Sequence, residues 1–203
     1  MLDIERGKLD DIKPIPWQTD TSVCLRSWGY IRDHEYKSPD ALVDELVDIV
    51  SKNGNLLLNI GPKPDGTIPE EQRRVLLEIG DWLSVNGYGA KPWRVYGEGP
   101  TRGEYEPFKE PKESPYTAKE IRFTTKDGAL YAILLDWPKG RVLVRSLSTY
   151  LRLSTRPVGA VSLLGHEGKI NWTQNEQGLE VELPPSPPTK FAHVLKIEFT
   201  ALR

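Results

Sequence analysis

The sequence predicts an α/β portion made of the last βα units of a (β/α)8-type barrel, followed by an all-β portion folded as an antiparallel β-sandwich. Three observations predict it. The run Asn55 to Thr67, Asn-Leu-Leu-Leu-Asn-Ile-Gly-Pro-Lys-Pro-Asp-Gly-Thr, passes from a buried-strand pattern into a Gly-Pro loop and then a helix start, which reads as one βα unit of a parallel barrel. Residues 1–97 alternate strand and helix periods, the order of a parallel sheet. Residues 98–203 switch to short runs of period two broken by glycine and proline, the order of a sandwich.

The elements follow in order. Ser38-Pro39-Asp40 is a helix start: a hydroxyl caps free N–H groups, and proline sits where its missing N–H costs nothing. Leu42, Leu46, Ile49 and Val50 then share one helical face, and Asn53-Gly54 supplies the left-handed stop. Leu56, Leu57, Leu58 and Ile60 read as a strand covered on both faces. The next helix is expected to open at Thr67 with Glu70 as its capping-box partner, to bury Val75, Leu76, Ile79 and Leu83, and to stop at Asn86-Gly87. A linker, Gly99 to Pro115, leads to strand runs Ile121–Thr124, Leu130–Leu135, Val142–Ser146, Leu179–Leu183 and Val194–Phe199. Lys126-Asp127-Gly128, Pro138-Lys139-Gly140 and Pro184 to Pro188 punctuate them.

Composition narrows the function classes. A chain of 203 residues, 38% hydrophobic and 28% charged, has the make-up of a soluble globular protein. No apolar run approaches the roughly 20 residues of a spanning helix, and Met1 to Arg6 lack a signal-peptide pattern. A net charge of −2 without a basic cluster gives no reason to expect nucleic acid. Cys24 stands alone, which excludes an intrachain disulfide, and His34, His166 and His193 lack ligand spacing, so no metal or cofactor is expected.

The blocks Ile4 to Val23, Ser27-Trp28-Gly29-Tyr30, Ile68 to Gln72, Ile79 to Leu83 with Asn86-Gly87, Tyr116-Thr117-Ala118 and Glu120 to Thr124 together resemble the C-terminal part of the α-L-fucosidases of glycoside hydrolase family 29. The resemblance implies hydrolysis of terminal α-L-fucosides on a fucosylated glycan by double displacement. In the family an aspartate at the end of an earlier barrel strand is the nucleophile; no residue here matches its motif, so it is expected upstream of Met1. A complete barrel takes about 250 residues, and the α/β portion has room for only two or three units. The chain is therefore expected to be a fragment or split-gene subunit that completes its barrel with an N-terminal half. Localisation stays open, because a signal peptide could lie on that half.

Four residues are carried over as candidates. Glu5, by its distance ahead of Trp17 and the Ser-Trp-Gly-Tyr block, matches the acid/base of relatives, a role that needs a raised pKa; the plain alternative is a surface glutamate beside Arg6. Trp28 matches the aromatic that covers the C6 methyl of fucose, a contact driven by area burial; core packing is its alternative. Trp17 and Gln18 are weaker candidates for the pocket wall and a hydroxyl contact. Asn59 and Lys63 flank the loop after the apolar strand, His34 reads as solvated, and Asp10, Asp11 and Asp20 suit a polar turn as well as catalysis. Trp137, Trp172 and Tyr150 could stack on carbohydrate but read more readily as packing. The rival function is a non-catalytic carbohydrate-binding or structural module whose sandwich alone retains purpose.

Overall fold

The computed structural model describes residues 2–87, 89, 91–100 and 115–201. The first part holds a parallel three-stranded sheet, β1 (Leu2–Glu5), β2 (Trp17–Ser22) and β3 (Gly54–Asn59), in that spatial order. Helix α1 (Pro39–Ser51) connects β2 to β3, and α2 (Glu70–Asn86) follows β3. Strands β4 (Lys91–Glu98), β5 (Ile121–Lys126), β6 (Ala129–Leu134), β7 (Arg141–Val144), β8 (Val158–Leu163), β9 (Trp172–Gln174), β10 (Leu179–Glu182) and β11 (His193–Phe199) form two antiparallel sheets, ordered β4-β5-β6-β11-β8 and β7-β10-β9.

Local chemistry explains the element ends. Ser38 caps α1 by accepting from the Ala41 N–H at 3.1 Å, with Pro39 in the first turn. Asn53 alone takes the left-handed stop, at φ 70°, while Gly54 opens β3 because its Cβ would lie 2.6 Å from the Trp17 ring. The expected capping box at Thr67 does not form. Asp65 accepts from both the Thr67 N–H (2.9 Å) and hydroxyl (2.7 Å), an Asx turn that spends the threonine before the helix begins, and α2 starts at Glu70 behind Pro69. Asp127 and Gly128, both at positive φ, make the two-residue turn between β5 and β6.

The boundary expected at residue 98 falls at the end of a strand that pairs with β5, so β4 belongs to the five-stranded sheet. The linker expected over residues 99–115 lies largely outside the described residues. Nor is the apolar run of β3 covered on both sides. Leu56 and Leu58 face the helices, whereas Leu57 is 54% exposed on a face that no described element covers.

Both faces of the five-stranded sheet are buried at its middle strand, β6, while β8 at its edge exposes Ala160 and Ser162. Leu130, Ala132 and Leu134 of β6 join Phe123, Leu195 and Ile197 against Val144, Leu179 and Val181 of the smaller sheet. Tyr131, Ile133 and Val194 point the other way, against Leu42, Val43 and Val47 of α1 and Val75, Ile79 and Trp82 of α2. The Trp82 indole N–H donates to the Ala192 carbonyl at 2.7 Å, satisfying a polar group that burial would otherwise leave unpaired. The helices are thus a shared layer between the parallel sheet and the sandwich, which explains why α1 buries Val43, Val47 and even Asp44 and Asp48 where the expected stripe used Leu46 and Val50.

One joint in that layer is ionic. Asp48 accepts from Lys52 Nζ at 2.7 Å and from Arg122 Nε of β5 at 2.6 Å, with all three side chains fully buried. Arg122 also donates to the carbonyls of Glu98, Ile121 and Pro100, and the rings of Tyr96 and Tyr116 lie 5.4 and 5.6 Å from its guanidinium. Burial pushes the Asp48 carboxyl up, but Lys52 and Arg122 outweigh it and hold the group below the usual aspartate range. Burial lowers the Lys52 ammonium against the pull of Asp48.

His193 at the start of β11 is 4% exposed, edge-on to Trp137 at 4.7 Å, with Nδ1 3.2 Å from the Thr189 hydroxyl. Burial pushes its pKa down to about 4, with Asp136 pulling weakly the other way. The fold therefore holds the neutral ring while the unfolded chain takes up a proton below about 6.5. Stability from this group is complete above that pH and falls as pH drops toward 4, by about 3 kcal/mol over the window. Urea midpoints at pH 7.5 and 5 should differ by about 2 kcal/mol of it, and His193→Gln should flatten this part of the pH dependence.

Candidate active site

In parallel barrels the chemistry sits where strands end at their C-terminal side. Here that edge is formed by Glu5, by Ser22 with the loop to Tyr36, and by Asn59 with the loop to Pro69. Alternation assigns the side chains. Ile4, Trp17 and Thr19 are buried toward α1, so Asp3, Glu5, Gln18 and Asp20 occupy the opposite face, where Gln18 Nε2 donates to Asp3 at 3.4 Å.

Glu5 is exposed at the end of β1, in register with Asp20 of β2. The next residue, Arg6, turns through positive φ (53°), and its N–H donates to Asp20 Oδ1 at 3.2 Å. That turn places its guanidinium 4.2 Å from the centroid of the half-buried Trp28 ring, a cation–π stack joining the end of β1 to the loop after β2. Asn59 fixes the same loop from β3: its amide donates to the Trp28 carbonyl at 2.7 Å and to Ser22 Oγ at 3.3 Å.

Beneath the edge lies Gln72 of α2, fully buried. Its amide accepts from the Gly61 N–H (2.9 Å) and donates to the Gly61 carbonyl (3.1 Å), with Cys24 Sγ 3.7 Å away. Burial raises the Cys24 thiol, which keeps it protonated and unreactive. A Cβ on Gly61 would lie 2.7 Å from the Gly29 carbonyl carbon and 2.8 Å from the Tyr30 nitrogen, both backbone atoms that cannot step aside. Gly61→Ala is expected to displace the Trp28 loop and cost about 1–3 kcal/mol; thermal melting of the variant beside Gly66→Ala, whose cost is backbone strain without a clash, checks it.

The structure brings together two of the four candidates. Glu5 and Trp28 share the C-terminal edge. Trp17 does not join them: it is the first residue of β2, 1% exposed, faces α1, and donates its indole N–H to the Lys52 carbonyl at 3.0 Å. That position makes it a packing residue instead of a pocket wall. Gln18 lies on the open face beside Asp3, two residues below the level of Glu5, about 7 Å along the strand. His34 accepts from the Arg26 N–H at 3.4 Å within the loop, Asp10 pairs with Lys13 at the surface, and the Lys63 N–H donates to the Thr67 carbonyl. Among the described residues no cluster of three or more His, Cys, Asp or Glu could hold a metal ion, and no helix is long and apolar enough to cross a membrane. Trp137 and Trp172 pack against the sandwich core, leaving Tyr150 exposed by itself.

Arg6 and Gln72 escape sequence inspection as parts of the site. Gln72 had a readable signal: it precedes Val75, Leu76 and Ile79 by three, four and seven residues, a polar residue on a helix's apolar stripe. Arg6 had none, because its stack depends on the turn of the backbone at that residue.

Comparison with known proteins gives a consistent identity. The family model described as Alpha-L-fucosidase matches residues 1–88, and that of the Alpha-L-fucosidase C-terminal domain matches residues 114–198. Tissue alpha-L-fucosidase of Rattus norvegicus is 36% identical over 182 residues, covering 86% of this chain and 35% of the relative. The Bos taurus enzyme is 37% identical over 193 residues, covering 89% and 36%. Among solved structures, Thermotoga maritima alpha-fucosidase in complex with fucose superposes with a TM-score of 0.71 at 28% identity, covering 94% of this chain and 41% of that one. Alpha-L-fucosidase isoenzyme 1 from Paenibacillus thiaminolyticus gives 0.72 at 28%, covering 98% and 45%. The chain thus spans less than half the length of each of these relatives. With both family models matched in order along a barrel edge and a sandwich, the chain belongs to the α-L-fucosidases of glycoside hydrolase family 29, as the end of the catalytic domain joined to the C-terminal domain.

Proposed function

We propose that this chain contributes the acid/base and part of the fucose pocket to a retaining α-L-fucosidase, whose aspartate nucleophile stands on a part of the catalytic domain that this chain does not contain. The observation that carries the reading is the convergence of Glu5 and the Trp28 loop on one C-terminal strand edge, tied by the Arg6–Trp28 stack at 4.2 Å. Retaining glycosidases hold two carboxyl groups about 5–5.5 Å apart. The aspartate attacks the anomeric carbon while Glu5 protonates the departing glycosidic oxygen; Glu5, now ionised, then takes a proton from the water that releases fucose. Trp28 covers the C6 methyl and apolar face of the sugar. Arg6 holds the Trp28 ring from behind, and Asn59 holds its backbone. The exposed face carrying Leu57 is where further barrel strands would pack.

The test is native mass together with aryl-fucoside hydrolysis, on the purified chain with and without the N-terminal portion of a family catalytic domain. Turnover is expected only in a stoichiometric complex. Turnover by the chain alone, or a monomer that never pairs, would overturn the reading, the latter in favour of a binding module.

A further inference from the structure

The sandwich carries a groove of about 590 Å³ that shares no lining residue with the strand edge described above, formed by the start of β4, the turn between β5 and β6, the segment 153–156 and the end of β11. That volume falls in the range of about 300–1,000 Å³ usual for small-molecule sites. Its composition is uneven. Lys91, Arg94, Lys126 and Arg156 line it against a single carboxylate, Asp127, and Trp93 and Phe199 supply aromatic surface.

The parts are held in place. The register of β4 on β5 breaks between Pro92 and Gly97, and Trp93 within that break packs edge-on to Phe123 at 5.4 Å. Arg156 lies 5.4 Å from the Phe199 ring centroid and donates to the Gly128 carbonyl at 3.3 Å. None of the four cations has an ion-pair partner among the described residues, whereas Arg141 and Lys196 on the same domain are paired with glutamates. Lys91, Arg94 and Lys126 are exposed. Like charges gathered without partners repel one another and favour an anion between them.

We propose that this groove binds an anionic sugar unit of a glycan, its carboxylate or sulfate held by Arg94, Lys126 and Arg156 and its apolar face laid on Trp93 and Phe199. That the ligand is a sugar rests on the α-L-fucosidase reading; that it is anionic rests on the groove. The function would be to anchor an acidic glycan to the sandwich while the barrel edge works on its fucosyl end.

Affinity electrophoresis of the purified chain tests it, in gels holding polygalacturonate, dextran sulfate or neutral dextran. Retardation by polygalacturonate or by dextran sulfate is expected, the stronger of the two naming the anionic group, with none by dextran. Arg94→Gln with Lys126→Gln should weaken retardation about tenfold. Lys139→Gln with Lys169→Gln makes the same change in net charge at exposed sites elsewhere and should leave it unaltered. Equal loss in both pairs, equal retardation by dextran, or tighter binding of a single-stranded oligonucleotide would overturn the proposal. Aryl-fucoside turnover of the Arg94→Gln, Lys126→Gln protein with a complementing barrel portion separates the two readings: turnover speaks for the catalytic assignment alone, and retardation for the groove alone.

Discussion

Replacing Asp48 by alanine lowers the unfolding free energy by about 3–5 kcal/mol, read as a fall in the urea midpoint. The magnitude comes from what the substitution leaves behind. Arg122 and Lys52 are both fully buried and both donate to this carboxylate, so its removal takes from two buried cations the carboxylate they share. Arg141 is the contrast: it reaches Glu180 and Glu182 at 2.9 Å, but its side chain is 64% exposed, and Arg141→Ala should cost under about 1 kcal/mol. If the two substitutions cost the same, the buried cluster is not an electrostatic joint. Because the alanine variant could fail to fold, a second protein, Asp48→Leu with Lys52→Met and Arg122→Met, provides the other arm. It should recover much of the loss, since an apolar replacement of a whole buried cluster strands no charge. Lower pH weakens the joint as well: the folded pKa of Asp48 is depressed, so its contribution is present above the ordinary aspartate range and fades as pH falls through the folded value.

In the complex with the N-terminal portion of a family catalytic domain, Glu5→Gln is expected to lower kcat/KM on a fucosyl oligosaccharide by about 10²–10⁴. The loss should be far smaller on an aryl fucoside whose leaving group departs without a proton. This split is the signature of a general acid, because the substitution removes proton donation while keeping size and hydrogen bonding. Glu5 is exposed at a strand end, so the melting temperature should barely move. Equal losses on both substrates would point to a binding role, and no loss on either would return Glu5 to an ordinary surface acid.

What the sequence revealed follows the range of the interactions involved. Ser38 with Pro39, the Asp127-Gly128 turn and the run from Leu56 to Leu58 are decided within a few residues, and each stands where local chemistry puts it. Thr67 misleads because two local partners compete for it and Asp65 wins. Strand β4 hides at the join between two periods, and β8 and β9 hide because Gly159, Ser162 and Thr173 blur their alternation. Asp48 is out of reach altogether: Arg122, which makes its burial possible, lies 74 residues further on. At the candidate site the resemblance offers Glu5 and Trp28 as candidates, but the orientation of Trp17 depends on which face of β2 meets α1, which a strand beginning with Trp-Gln-Thr-Asp does not settle.

The middle strand of the five-stranded sheet, β6, has no wet face, and that has a kinetic consequence. Amides of β6 are sealed on one side by the smaller sheet and on the other by α1 and α2, so no partial opening of either layer alone exposes them. Their hydrogen exchange should therefore require both layers to part at once, with the rate limited by global unfolding, while amides of β1, at the bare edge of the parallel sheet, exchange through local fraying. The two regions matched by separate family models would then unfold as one cooperative unit, and a transplanted sandwich would carry its stability only if α1 and α2 travelled with it.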